Sequence, residues 1–455
     1  MSGVAEITHI DTKKQAEEYP FLEVVQKRDG GQYVKVHTYE LAQYMLQTEK
    51  IYRDKNQFMY YNHSEGIWES DTENYLKQQI TKLLKQHTKL NNVRETMEHI
   101  KNISYVKSKD KIINFDQKIF ALTLANGTYY FKEKNFVPVW NPYDYSTTKV
   151  NINYDENMME IGDTLPIKAY AFLGNILKSP ELKFIFEWLG FCMVKGYPLQ
   201  KLLILQGSGG NGKSTLINFI SSIIGAENTS NLSLDTLQND RFGKAHLKGK
   251  MLNACADISD TFFESMATIK EITGDDKSYA EFKGQNGFSF LNFAKLIFSA
   301  NTLPSFKDTS EGLTRRLILL PMNMKPEPID VKLNDILGDS KELTRILLHS
   351  IESFERALQN GRFSISEEME QALSQWLEKI DNLACFVSDE CILKPGVKVK
   401  KTTLFKEYRY YCADNNYKDV GRNKFYERIS ARYNLGESKS TGDMYFTGIG
   451  LKTDI

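Results

Sequence analysis

Cysteine is scarce in this chain. Cys192, Cys255, Cys385, Cys391 and Cys412 are odd in number and scattered over 455 residues. That excludes a disulfide framework and points to reduced thiols in a cytosolic setting. Three of the five lie between 385 and 412, but no C-x-x-C occurs and no histidine follows His349, so the pattern gives a zinc site little support. Net charge is also missing: 58 Lys and Arg balance 58 Asp and Glu, so any surface for nucleic acid must be local. No apolar run approaches the roughly 20 residues of a membrane span, and the polar N-terminus carries no secretory signal. The expectation is a cytoplasmic protein without a membrane partner. Internal repeats and low-complexity tracts are absent, and the length allows two to four domains.

What is present is a phosphate loop. Residues 201–215 read KLLILQGSGGNGKST, in which the apolar strand 202–205 leads into Gly207-Ser208-Gly209-Gly210-Asn211-Gly212-Lys213-Ser214. This is a complete G-x-x-x-x-G-K-S, with Thr215 behind it. Glycines let successive backbone N–H groups turn inward around a phosphate, where bulkier residues would stand in the way. Lys213 is placed to reach the β- and γ-phosphates, and Ser214 to offer its hydroxyl to Mg²⁺. Residues 213–224 follow as a helix whose positive end adds to the anion site. A nucleoside triphosphate site is predicted; what it drives has to come from its neighbours.

Before the loop, residues 1 to about 40 are polar and mixed, and aromatic strands then alternate with one long helix to about 156. Residues 57–61 and 66–68 read as a hairpin. Residues 74–88 read as the helix, with Leu76, Ile80, Leu83 and Leu84 on one face. Residues 111–115, 120–124 and 127–131 read as short strands. No acidic pair with a basic partner marks a primase centre, so 1–155 reads as an α+β interaction domain. Helices expected at 167–177 and 180–192, with Phe184, Trp188 and Leu189 in their stripe, make 156–198 a helical collar or oligomerisation segment. Further helices at 341–360 and 366–380 close a nucleotide domain of 199–385.

Three motifs follow the loop. An ATPase needs an acid at the end of a neighbouring strand to hold Mg²⁺, and 251–257 fits, with Asp257 at the strand's end and Asp260 close behind. The buried strand 295–300 ends in Asn301, which either orients an attacking water or simply occupies a strand-terminal turn. Arg315 and Arg316 precede the apolar strand 317–320; they are either surface arginines or an arginine finger lent by a neighbouring subunit. Between these, 279–285 reads as a strand, a glycine turn and a return strand, with Lys283 near the tip and Lys277 at the start. A tip lysine is either solvated or a phosphate contact.

Residues 394–455 are locally basic, with thirteen Lys and Arg against seven Asp and Glu. A helix at 402–415 turns Leu404, Tyr408, Tyr411 and Cys412 inward. In a second, at 423–433, Phe425, Ile429 and Tyr433 form a core stripe beside Lys424, Arg428 and Arg432. Residues 444–451 follow as a wing. The order suggests a winged helix over 386–455 whose second helix enters the major groove; the alternative is a solvated charged face.

The order GSGGNGKS, LNACADISD, ITGDDKSYAEFKGQ, KLIFSAN, LTRRLILLP resembles superfamily 3 helicases. More closely it resembles the ATPase half of phage and plasmid primase–helicases, including replication initiators of staphylococcal mobile genetic islands. The likeness is close over 164–322, moderate over the C-terminal domain, and before 164 rests mainly on Asn126-Gly127-Thr128-Tyr129. It implies an α/β, AAA+-like P-loop core that hydrolyses ATP with Mg²⁺, assembles as a homo-oligomeric ring, a hexamer, and moves on DNA. By position it implies Lys213 as phosphate ligand, Ser214 and Asp257 as magnesium ligands, Asn301 as sensor and Arg316 as the finger acting in trans. Relatives often carry two adjacent acids where this chain has Ala256-Asp257, which leaves the general base open, with Asp260 as a substitute. Lys283, and with it Lys277, would meet single-stranded DNA in the channel. The winged helix would meet duplex, as at a replication origin, and a separate primase is a further conceivable partner.

Overall fold

The computed structural model describes residues 19–452, apart from 56, 108–111, 161–164, 257, 259–261, 264, 275, 285, 307–309, 329–330, 379–381, 416, 418 and 441. The chain forms two compact units that divide between Tyr154 and Asp155.

In the first unit, helices Thr38–Thr48, Thr72–Leu84 and Leu90–Ile103 bury Leu41, Leu76, Ile80 and Ile100 around Phe21. The predicted hairpin is there as Phe58–Asn62 and Ile67–Glu69, joined antiparallel by Ile51–Arg53. The predicted helix stops at Leu84 because Lys85 takes φ +48°, a left-handed value that ends a right-handed helix. Two expectations need correction. Among the described residues there is not one helix but three, and Leu90–Ile103 escaped notice because its buried face contains only Thr96, Met97 and Ile100. Sequence assigned no element before Thr38, and there Leu22–Gln26 and Gln32–Val36 pair as antiparallel strands. No strand forms at 112–115, and residue 111 lies outside the described residues.

The second unit is built on a five-stranded parallel sheet. Across it the order is Thr229–Ser230, Leu252–Cys255, Lys295–Ala300, Leu202–Gln206, Leu317–Pro321. The middle strands are buried on both faces, which is why they read as continuous apolar runs. Helix Lys213–Ile224 covers the sheet with Leu216, Phe219, Ile220 and Ile223. The strand leading to Asp257 is not the neighbour of the phosphate-loop strand, as expected from sequence: Lys295–Ala300 lies between them.

Helices Ile167–Gly174 and Ser179–Cys192 pack on the long helix Ser340–Asn360. Tyr170 Oη and His349 Nε2 share a hydrogen bond of 3.0 Å, and burial takes His349 down to about 4. At Gly190 a Cβ would overlap the Ser350 carbonyl, so glycine sets how closely those helices cross. Buried Glu187 accepts from both the backbone N–H and the hydroxyl of Ser364, at 2.6 Å each.

The chain ends in a helix Asn382–Glu390, a strand Cys391–Lys400, helices Lys401–Asp414 and Arg422–Tyr433, and a hairpin of Gly436–Ser440 with Asp443–Leu451. Asp443–Leu451 also pairs with Cys391–Lys400, completing a three-stranded sheet. Its core joins Phe386, Leu404, Tyr408, Phe425, Ile429 and Phe446. Cys385, Cys391 and Cys412 are buried in that core as small apolar side chains. Among the described residues no helix is long and apolar enough to cross a membrane.

Candidate active site

The phosphate loop leaves the sheet at the end of Leu202–Gln206. Gly207 is required because a Cβ there would overlap the Met322 carbonyl. Gly210 and Gly212 take φ of +81° and +83°, and a Cβ on Gly212 would also come within 2.5 Å of Ile176 Cγ2. These are places only glycine fits, and the turn they make delivers Lys213 to the first position of a twelve-residue helix.

Lys213 Nζ donates to the Gly207 carbonyl at 2.6 Å, Asn301 Oδ1 at 3.0 Å, the Ser208 carbonyl at 3.1 Å and Asn211 Oδ1 at 3.3 Å. Asn301 arrives there through register. Ala300 pairs with Gln206, and the Gly207 N–H donates to the Ala300 carbonyl, so the residue after each strand meets the other. Ser208, Gly209, Gly210, Ser214 and Thr215 are exposed around this lysine. Asn211 is buried, and its Nδ2 donates to the Met322 carbonyl at 2.5 Å, tying the loop to the end of strand Leu317–Pro321. Sequence did not reveal that latch. Asp257 and Asp260 lie outside the described residues; the strand Leu252–Cys255 runs toward them beside Lys295–Ala300.

Arg316 lies at the other end of the sheet. Leu317 pairs with Leu202 and Pro321 with Gln206, so Arg316 enters where the loop strand begins. Five residues at about 3.3 Å each separate it from the loop by on the order of 16 Å. Arg316 is 8% exposed, one amino group donates to the Gly312 carbonyl, and among the described residues its Nε is buried without a hydrogen-bond partner. Burial, and then the adjacent Arg315, lower its pKa, while Asp276 opposes them. Arg315 is exposed and donates to Gln200 Oε1 at 2.7 Å. Loop, Lys213 and Asn301 therefore come together, whereas Arg316 does not join them within one chain.

The hairpin pairs Lys277–Ala280 with Phe288–Leu291. Lys283 is exposed at its turn, where Gly284 takes φ +78°, and Lys277 is exposed at its base, opposite Leu291. In the C-terminal module Phe425 and Ile429 of Arg422–Tyr433 are buried, Lys424 and Arg432 are exposed and Arg428 is half-buried.

Sequence reading also passed over Lys295, the first residue of an apolar strand. It is fully buried, donates to the carbonyls of Val194 (2.5 Å) and Phe293 (2.8 Å), and lies over the rings of Phe191 and Tyr197. Burial pushes its ammonium down to about 7. A charged residue opening an otherwise apolar run was the available signal.

Three families match separate stretches of the chain. A D5 N terminal like family matches 23–193, a family of unknown function (DUF5906) matches 205–316, and a poxvirus D5 protein-like family matches 378–444. The chain is thus similar to D5-type proteins on both sides of a stretch that holds the whole phosphate loop, Asn301 and Arg316. Among solved structures, the A-form apo structure of the NrS-1 C-terminal region is 14% identical, covers 91% of this chain and 98% of its own, and has a TM-score of 0.42. A second apo structure of that region is 13% identical, with coverage of 91% and 99% and a TM-score of 0.39.

Proposed function

We propose that this chain is an ATP-dependent replicative DNA helicase, and a replication initiator, of a phage, plasmid or genomic island, working as a hexameric ring of the superfamily 3 type. The observation that carries the reading is the two-ended sheet: Lys213 and Asn301 at one end, Arg316 roughly 16 Å away at the other. An arginine so placed does not reach the triphosphate of its own chain, and service to a neighbour's would divide the sites of a ring between subunits. The D5-type similarity at both ends points the same way, toward primase–helicases.

The loop residues fit ATP. A Cβ at Gly209 or Gly210 would have nothing within 4 Å, so the loop presents an open face there, and the helix start adds its dipole. Bound ATP with Mg²⁺ would supply the phosphoryl group that is transferred. Lys213 would exchange its loop carbonyls for phosphate oxygens, Ser214 and Asp257 would hold the metal, and Asn301, freed from Lys213, would orient water. Asp257 or Asp260 would take the proton. Lys283 and Lys277 would follow the phosphates of one strand. The order helix, strand, helix, helix, hairpin over 382–451 supports a winged helix, with Lys424, Arg428 and Arg432 presented to duplex DNA, as at an origin. The helices before the loop would serve as the collar, and a separate primase would be a further partner in the cytoplasm.

The same basic helix supports a second reading, an origin-binding switch that uses ATP to assemble without unwinding. Forked duplexes with 3′ or 5′ tails, assayed with and without ATP, separate the two. Unwinding lost in Lys283→Ala, with origin binding kept, is expected of a motor; ATP turnover with no unwinding by the wild type would leave the switch. Lys213→Ala should abolish turnover in both.

A further inference from the structure

The hairpin carries an aromatic side chain that the site above does not use. Along Lys277–Ala280 the side chains alternate, with Ser278 and Ala280 buried and Lys277 and Tyr279 exposed. Tyr279 is 63% exposed, a large apolar area to leave in water beside a lysine. Its position is nonetheless fixed. The hydroxyl end of the ring lies against Gly287, just before the return strand Phe288–Leu291, where any Cβ would overlap Oη and Cζ of the tyrosine. The backbone of Gly287 is not left-handed, so what this glycine supplies is room for the ring. Tyr279 also walls a cavity of about 380 Å³ that Arg241 and Lys244 line. Arg241 pairs with Glu281 and Lys244 with Glu271, so these cations are held at the cavity's edge.

We propose that Tyr279 is a stacking platform for one base of the strand that the hairpin follows, with Gly287 as the seat that holds the ring ready. The inference rests on the nucleic-acid reading of the hairpin. A seated ring loses little freedom on binding, and every base offers a π-face, so the contact would be indifferent to sequence. Lysines on the same hairpin recognise phosphate and cannot distinguish a strand with bases from one without.

The test uses the full chain with a non-hydrolysable ATP analogue and two labelled strands of equal length, oligo(dT) and an abasic strand. Wild type should prefer oligo(dT). Tyr279→Ala should weaken oligo(dT) binding by roughly 5- to 150-fold while leaving the abasic strand unchanged. Tyr279→Leu, which still covers Gly287 but has no π-face, should lose the preference as well. Tyr279→Phe and Tyr279→Trp should keep it, and Gly287→Ala should reduce it by displacing the ring. A Tyr279→Leu protein that retains the wild-type preference overturns the platform. A wild type that binds neither strand overturns the hairpin reading, and with it this one.

Discussion

Mixing two inactive variants measures the divided site directly. Lys213→Ala removes the loop lysine and Arg316→Ala the distant arginine, each from an otherwise intact chain. Loss of a transition-state arginine lowers turnover by on the order of 10³-fold or more, so both parents should be silent. In a ring with exchanging subunits, an interface works when an Arg316→Ala subunit, which keeps its lysine, meets a Lys213→Ala neighbour, which keeps its arginine. At equal amounts that arrangement arises at about one interface in four, so ATPase activity should return to roughly a quarter of wild type. It should fall away on either side of equal mixing as the product of the two fractions. The assay is phosphate release across a series of ratios, with exchange verified by co-purification of a tagged subunit. Activity that stays at the parental level at every ratio, despite exchange, refutes the placement of Arg316 in a neighbour's site. Arg315→Ala provides the control: exposed and bonded to Gln200, it should keep most of its turnover unmixed. If it alone is complemented by Lys213→Ala, the finger is the adjacent arginine.

Other consequences follow from single contacts. Gly212→Ala should cost about 1–2 kcal/mol for a left-handed alanine and about 1–3 kcal/mol for the overlap with Ile176. Adding Ile176→Ala should recover much of the second part; strictly additive losses in urea titrations would show that the contact is not felt. Lys295 should make stability rise with pH relative to Lys295→Met. Below about 7 both the folded and unfolded chains hold its proton, whereas between there and the ordinary value of 10.5 only the unfolded chain does. The gain should approach about 1.4 kcal/mol per pH unit in that window, and a difference that does not change with pH counts against a strongly depressed lysine. Lys424→Ala and Arg432→Ala should each lower the salt slope of duplex binding by about one and weaken binding evenly across sequences. An unchanged slope removes that helix from the interface.

Local chemistry made much of this protein legible in the chain alone. Eight residues with four glycines, an asparagine and a lysine can form a phosphate cradle wherever they fold, so Gly207 to Ser214 announced themselves. The parallel strands did so too, because burial on both faces leaves an uninterrupted apolar run. The polar helices of the first unit were harder. Leu90–Ile103 buries a threonine, a methionine and an isoleucine, too faint a stripe to stand out in sequence.

Sequence by itself therefore determined the triphosphate cradle and the order of motifs behind it. Only the tertiary structure decided which of these meet. It inserted Lys295–Ala300 between the loop strand and the acidic strand, brought Asn301 onto Lys213, latched Asn211 to Met322, and sent Arg316 to the far end of the sheet. It also placed Tyr279 over Gly287 and buried Lys295 between two rings. The physical reason is that strand order and register are settled by contacts between residues far apart in the chain, which no local pattern encodes.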